Sequence, residues 1–506
     1  MKNTTKILFI DDQWCQPEER NTIIAAFGSL LTKDAPCEFF YETAEISPNK
    51  FSTETVLRKI SEIETLDVII LDIMFGSNTN RFGLEILDSV RSKYPLLPIF
   101  MMTSVENDLD VLERSMELGA NEYLVKRPTV EELENLLRIY TNPNVFESDY
   151  ALWGNSESIR KVRSQIVRVA ASGSASVLIR GESGTGKELV ARSIHRQGPR
   201  KKYPFIDKNC AHSKSELLDD DLFGHEKGAF TGAERQLMGR IERANKGILF
   251  LDEIGSMPLE LQGKLLRILE TKTFQRLGGS QNVIVDFQLI TATNQDISSL
   301  LESGHIRNDF FFRIKQFEIN VPPLRERKED IPILAELFLK KFKNGTGASY
   351  RANLISSEAM NNLVYYNWPG NVRELKNVVE RAVIISKEEV IEITHLPPEI
   401  SQISVNNSKI SSMTVLDFLL DQNPVIWPEQ RIISELKLLI QAKERIKSYK
   451  GNQWKAEFMR LMFPENKAQS AKGFNDLIRR LTKGPWGFPE VEKNHTINEM
   501  INNLLS

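Results

Sequence analysis

Cysteine is scarce in this 506-residue chain: Cys15, Cys37 and Cys210 are odd in number and far apart. That pattern excludes a disulfide framework and a thiolate zinc site. The six histidines are scattered with no pair at helical ligand spacing, so an imidazole metal centre is not expected. No apolar run reaches the ~18 residues of a membrane span, and the opening MKNTTKILFIDD meets a carboxylate pair too early for a signal peptide. Charge of one sign is also missing. The 65 Lys+Arg against 68 Asp+Glu leave a net −3, which predicts neither a DNA-coating protein nor an acidic tail. No internal repeat or strongly biased segment is present. A soluble, cytoplasmic chain without membrane association is expected.

What is present is ordinary globular composition, 41% hydrophobic and 26% charged, long enough for about three domains of ~150 residues. Residues 1–140 alternate short β-branched or aromatic runs (KILFI, CEFFYE, DVIIL, PIFMM, EYLVK) with helical stretches such as GLEILDSVRSKY and VLERSMELG. Such alternation predicts a parallel sheet covered by helices. TVEELENLLRIY reads as the last helix, and Asn142-Pro143-Asn144 opens a linker over 141–152. A second block, 153–398, carries SVLIR, PFIDK, GILFLDE and FQLITATN as buried strands, then a helix-rich part over about 326–390. A polar linker (399–412) precedes a mainly helical segment, 413–506. The fold class expected is α/β and multidomain, ending in an α-helical domain.

The middle block holds the clearest chemistry. GESGTGKE (Gly181, Glu182, Ser183, Gly184, Thr185, Gly186, Lys187, Glu188) follows the strand SVLIR and opens the helix ELVARSIHR, the context a phosphate-binding loop requires. Its glycines let backbone N–H groups approach phosphates, the helix N-terminus adds positive potential, and Lys187 reaches the β/γ oxygens. Glu188 stands where Ser or Thr usually helps to hold Mg²⁺. GILFLDEI ends a strongly apolar strand with Asp252, suited to Mg²⁺, and Glu253, suited to polarise a water. Together the two motifs predict nucleotide hydrolysis.

These motifs, with NCAHSKSELLDDDLFGHEKGAFTGA, PPLRERKEDIPIL and WPGNVREL, resemble the AAA+ domain of NtrC-type activators of sigma-54 RNA polymerase, almost continuously from Trp153 to Pro398. The resemblance implies a loop at a ring pore, GAFTGA (Gly228, Ala229, Phe230, Thr231, Gly232, Ala233), that touches sigma-54. Its small residues permit a tight, movable loop, and Phe230 and Thr231 offer an apolar anchor and a hydroxyl. By position, the resemblance also implies that Asn209 holds the catalytic glutamate and that Thr293 and Asn294 sense the γ-phosphate. Arg307 and Arg313 would act across a subunit boundary, and Arg373 would serve as a second sensor in a helical lid. A dimer, and a ring of six or seven subunits, are implied.

In the first block, Asp11 and Asp12, Asp72, Thr103 and Ser104, and Lys126 all fall at strand carboxyl ends, one edge of a doubly wound sheet. Asp11, Asp12 and Asp72 make an oxygen site suited to Mg²⁺. Asp72 would accept a phosphoryl group, Thr103 and Lys126 would bind it, and Tyr123 would swing inward. This order is similar to the flavodoxin-like receiver domain of two-component response regulators, implying control by a sensor histidine kinase. The stretch from Asp12 to Asp72 is longer than receivers usually have.

Between Arg431 and Lys483 stand 13 Lys/Arg against five Asp/Glu, a local net of +8. A basic helical module at this place fits DNA binding at enhancer-type sites through phosphate contacts; a basic dimerisation bundle is the alternative. Two other functions remain open at this level: an AAA+ remodelling ATPase of another kind, and a DNA-binding regulator with a silent ATPase.

Overall fold

The computed structural model describes residues 5–11, 37–42, 52–63, 66–75, 81–95, 97–103, 109–125, 128–141, 151–211, 215–345, 351–386 and 388–402. Asp12, Ser104, Lys126, most of the 141–152 linker and the whole of 413–506 lie outside them.

The first sheet contains β1 (Thr5–Ile10), β2 (Cys37–Glu42), β3 (Val68–Asp72), β4 (Ile99–Thr103) and β5 (Glu122–Val125), in the order β2-β1-β3-β4-β5. All its pairings are parallel. The central strands VIILD and IFMMT are buried at every position, as parallel strands covered on both faces must be. Helices α1 (Thr53–Glu62), α2 (Phe82–Lys93), α3 (Leu109–Glu117) and α4 (Val130–Thr141) accompany them. Order and direction are those of a flavodoxin-like doubly wound fold.

The second sheet is also parallel. Its strands β6 (Val177–Arg180), β7 (Phe205–Asn209), β10 (Ile248–Asp252), β13 (Gln288–Thr293) and β14 (Phe317–Asn320) follow the order β14-β6-β13-β10-β7. Two hairpins project from this unit: β8 (Gly224–His225) with β9 (Leu237–Met238), and β11 (Thr273–Gln275) with β12 (Asn282–Ile284). Helices α5 (Glu157–Ser172), α6 (Lys187–Gln197), α7 (Ser215–Phe223), α8 (Leu259–Thr271), α9 (Ile297–Glu302) and α10 (Asn308–Ile314) complete it. The lid comprises α11 (Asp330–Gly345), α12 (Ser357–Tyr365) and α13 (Asn371–Ile385). Its anchor is Trp368, fully buried, whose indole N–H donates to the Leu363 carbonyl at 2.7 Å.

The nine strands expected from sequence are all strands; β14, both hairpins and a two-residue parallel pair, Leu354–Ile355 with Val390–Ile391, are additional. They are short, and β11 and β12 (TFQ and NVI) carry little apolar periodicity. No helix among the described residues is long and apolar enough to cross a membrane.

The first sheet's unit and the ATPase sheet's unit touch through charged and aromatic groups. Helix α3 packs along α5, with Arg168 bound to Glu113 through two of its guanidinium nitrogens, Nε and Nη2. At β5, Glu122 is almost fully buried and receives Arg196, the Gln197 amide (2.6 Å) and the Tyr140 hydroxyl (3.2 Å). Beside it, the Tyr123 hydroxyl donates to the Gln197 carbonyl at 2.8 Å.

Candidate functional site

The phosphate loop runs from the carboxyl end of β6 to the start of α6. Gly184 and Gly186 adopt left-handed φ values of +78° and +104°, conformations open to glycine at little cost. At Gly184 there is a second reason for glycine: a Cβ would lie 2.3 Å from the Gly370 carbonyl of the lid. Lys187 curls back over the loop, donating to the carbonyls of Gly181 (2.9 Å) and Glu182 (3.3 Å), with Glu253 Oε1 at 3.8 Å. Burial holds its ammonium below the ordinary lysine value, against the opposing pull of the Glu253 and Asp252 carboxylates. Thr185 closes the turn by donating its hydroxyl to the Glu182 carbonyl at 2.8 Å. Glu188 faces elsewhere in the helix, accepting from Arg192 Nε at 2.8 Å, one turn on.

Asp252 ends β10, and Glu253 follows in the left-handed region at φ +53°, a strained setting for a residue with a Cβ. That turn lets the Glu253 carboxylate face both Lys187 and Asn294, whose backbone N–H donates to Oε2 at 3.3 Å. Thr293 is buried, and its hydroxyl oxygen accepts from the Gln295 N–H. The Asn209 amide donates to Asp252 Oδ2 at 3.4 Å, so its described partner precedes the glutamate expected. The reason is register: Asn209 pairs directly with Asp252 across β7 and β10. Cys210, next in line, is buried, which pushes its thiol up to about 12 and keeps it protonated.

Arg373 reaches the phosphate loop, donating to Ser183 Oγ at 3.1 Å. The two arginines expected to act across a subunit boundary lie on or beside α10. Arg307 is half exposed and forms a two-point pair with Asp309 at 2.7 and 3.0 Å. Arg313 donates to the Leu269 carbonyl at 2.8 Å.

The GAFTGA segment is the loop between β8 and β9. Gly228 and Gly232 have φ values of +86° and +106°, and a Cβ on either would meet nothing within 4 Å. Loop geometry, rather than crowding, therefore selects glycine there. Phe230 and Thr231 are exposed. The Phe230 ring rests edge-on against His225, 4.9 Å between centroids. Both His225 nitrogens face acceptors, the Asp220 carboxylate at 2.5 Å and the Arg235 carbonyl at 3.0 Å.

In the first sheet, Asp11, Asp72 and Thr103 are all buried at strand carboxyl ends. Register aligns them: Ile10 pairs with Leu71 just before Asp11 and Asp72, and Thr103 pairs with Val125. Asp72 Oδ1 also accepts from the Met74 N–H at 3.2 Å. Tyr123, expected to swing inward, has its hydroxyl engaged by α6 of the ATPase. Its partners Asp12 and Lys126 lie outside the described residues.

Sequence reasoning assigned no individual role to Asn371, Arg325 and Arg327, which bind the phosphate loop from the lid side. Glu122 also went unnoticed. An acidic residue opening the otherwise apolar EYLV is the one signal that could have marked it.

A receiver-type sheet with an acidic edge, joined to a phosphate loop, an acidic strand end and a helical lid, defines an ATPase under an input domain. Family models match in the same order: the response regulator receiver domain over residues 40–138, the sigma-54 interaction domain over 152–320, and the AAA+ ATPase lid domain over 325–412. The regulatory protein AtoC of Escherichia coli is 38% identical over 398 residues, covering 76% of this chain and 84% of its own. The DNA-binding transcriptional regulator NtrC of Proteus hauseri is 37% identical over 380 residues, covering 73% and 78%. The crystal structure of NtrX from Brucella abortus in complex with ADP is 29% identical, covers 95% of this chain and 99% of that one, and has a TM-score of 0.46. The chain belongs to the NtrC-type family of sigma-54-dependent response regulators, and its central domain is an AAA+ ATPase.

Proposed function

We propose that this protein couples phosphorylation of Asp72 to ATP-driven remodelling of sigma-54 RNA polymerase. The observation that carries the engine is Glu253, turned by its left-handed backbone to lie between Lys187 and Asn294. From there it polarises the water that attacks the γ-phosphate, while Lys187 and the loop amides bind the phosphates. Asn209, bonded to Asp252 beside the glutamate, holds Glu253 until ATP is sensed, Asn294 reports the γ-phosphate to Glu253, and Arg373 reports it to the lid. Arg307 and Arg313 complete the site of a neighbouring subunit in a ring, a contribution worth about 10³–10⁵ in rate. The GAFTGA loop, with Phe230 and Thr231 outermost, carries the motion to sigma-54.

A sensor histidine kinase supplies the phosphoryl group to Asp72. The buried pair Asp11 and Asp72, with Asp12 next in sequence, and Asp252 in the ATPase suit Mg²⁺, which supplies charge neutralisation beside the phosphoryl groups. Thr103 and Lys126 hydrogen-bond and ion-pair with the new phosphate. The basic segment 413–506 brings the assembly to DNA, and the setting is the cytoplasm. The test is promoter opening by the purified chain with sigma-54 polymerase, ATP and a small phosphodonor, each omitted in turn. Opening is expected with the full set and lost without ATP or sigma-54; opening that persists without ATP overturns the reading.

A further inference from the structure

Three successive carbonyls of the phosphate loop are held by groups outside it. The Ser183 carbonyl accepts from Asn371 Nδ2 at 3.0 Å. The Gly184 carbonyl accepts from the Val372 N–H at 3.0 Å. The Thr185 carbonyl accepts from the Arg327 guanidinium at 3.0 Å. A trans peptide is planar with its C=O and N–H opposed. Pinning these carbonyls outward therefore turns the N–H groups of Gly184 and Gly186 toward the loop's interior, where a phosphate cradle needs them, while the Thr185 N–H closes the turn on the Glu182 carbonyl at 3.4 Å.

Asn371 is the centre of this clasp. It is fully buried and sits at φ +53°, a conformation asparagine tolerates better than most residues with a side chain. Its Oδ1 accepts from the Leu324 N–H at 2.8 Å, and its Nδ2 also donates to Glu182 Oε2 at 3.1 Å. Glu182 is in turn gripped at two points by Arg325, at 2.7 and 2.8 Å. Arg325 and Asn371 together hold the Glu182 carboxyl below the usual carboxylate range. One amide thus joins the lid's entry segment, the loop's backbone and the loop's only acidic side chain before Lys187.

We propose that Asn371, supported by Arg327, is a positioning residue for nucleotide binding: it keeps the phosphate loop in its amide-inward form and makes the lid and the loop move as one. It touches no substrate; it acts through the Ser183 carbonyl and the Glu182 carboxylate, while Arg327 holds the Thr185 carbonyl. The proposal rests on the loop being the ATP site.

The test uses the full chain, two single variants and one double variant. Asn371→Gly removes the amide while leaving the left-handed backbone unstrained. Asn371→Asp keeps the acceptor for Leu324 but sets a second carboxylate against Glu182 and withdraws the donor from Ser183. Affinity for a fluorescent ADP, and KM and kcat for ATP, are read alongside thermal melting. Expected is a roughly tenfold rise in ADP Kd and ATP KM for Asn371→Gly, more for Asn371→Asp, with a smaller fractional change in kcat, the signature of lost binding rather than lost chemistry. Partial recovery of affinity is expected in Glu182→Gln/Asn371→Asp, where a Gln amide again faces a carboxylate. ADP affinity within about twofold of the parent in either folded variant overturns the proposal, as does a fall in kcat with KM unmoved. If the parent chain binds neither ADP nor ATP, the reading of the loop as the ATP site fails instead.

Discussion

At the scale of single residues, the proposed chemistry rests on two side chains, Glu253 and Lys187, and each gives a sharp expectation. Glu253→Gln keeps the size and the contact to the Asn294 N–H but loses the base, so ATP should still bind while turnover falls about 10²–10⁴-fold; nucleotide affinity and phosphate release check both halves. Lys187 is held below the ordinary lysine value by burial. As pH rises through that lowered value the ammonium loses its proton, and the phosphates lose their partner. ATP affinity should therefore weaken on the alkaline side, earlier than an unperturbed lysine would dictate. Calorimetry in buffers of different protonation enthalpy should show proton uptake on binding there. Both residues were legible in the sequence, because a Gly-rich loop and an acidic strand end announce themselves by spacing. The left-handed turn that aims Glu253 was not: no feature of GILFLDEI distinguishes φ +53° from an ordinary strand exit.

At the scale of elements, the two hairpins are in contact, Leu277 exchanging backbone hydrogen bonds with Gly224 and Glu226. A Cβ on Gly278, at φ +68° in the β11–β12 hairpin, would lie 2.8 Å from both Cα and Cβ of Ala229 in the GAFTGA loop. Gly278→Ala should push that loop aside and cut promoter opening roughly tenfold, since overpacking costs about 1–3 kcal/mol, while ATP turnover stays close to the parent's. Thr231→Ala, which leaves the loop's shape alone, should hydrolyse ATP and fail to open promoters; transcription assays set beside phosphate release separate the two effects. GAFTGA could be read directly, yet its neighbour could not, because TFQ and NVI are three-residue strands without a periodic apolar face. The same limit hid the lid clasp. Asn371 in WPGNVREL looks like a turn residue until tertiary packing places it against Ser183. Long apolar strands such as VIILD and ILFLD, by contrast, declare a buried parallel sheet from composition alone.

At the scale of the whole molecule, contacts between the input domain and the ATPase differ greatly in weight. The Arg168–Glu113 pair has an arginine more than half exposed and should contribute about 0–1 kcal/mol, so Glu113→Ala should be nearly silent. Glu122 is 3% exposed and meets Arg196, Gln197 and Tyr140. Removing it strands a largely buried cation, at a cost of about 3–5 kcal/mol to the docked arrangement. Glu122→Ala should give an earlier melting step and an ATPase less responsive to a phosphodonor; an unaltered response would show the contact to be passive.

Helix α6 begins at Lys187, in the fuel site, and ends at Arg196 and Gln197, in the receiver's grasp. Eleven residues at 1.5 Å each make it a strut of about 16 Å. Reciprocity then runs along it in both directions: if acyl-phosphate at Asp72 alters the affinity for nucleotide, nucleotide must alter, by the same factor, the equilibrium constant for acquiring that acyl-phosphate. A cell's energy charge would thereby be written into how readily its own signal is received.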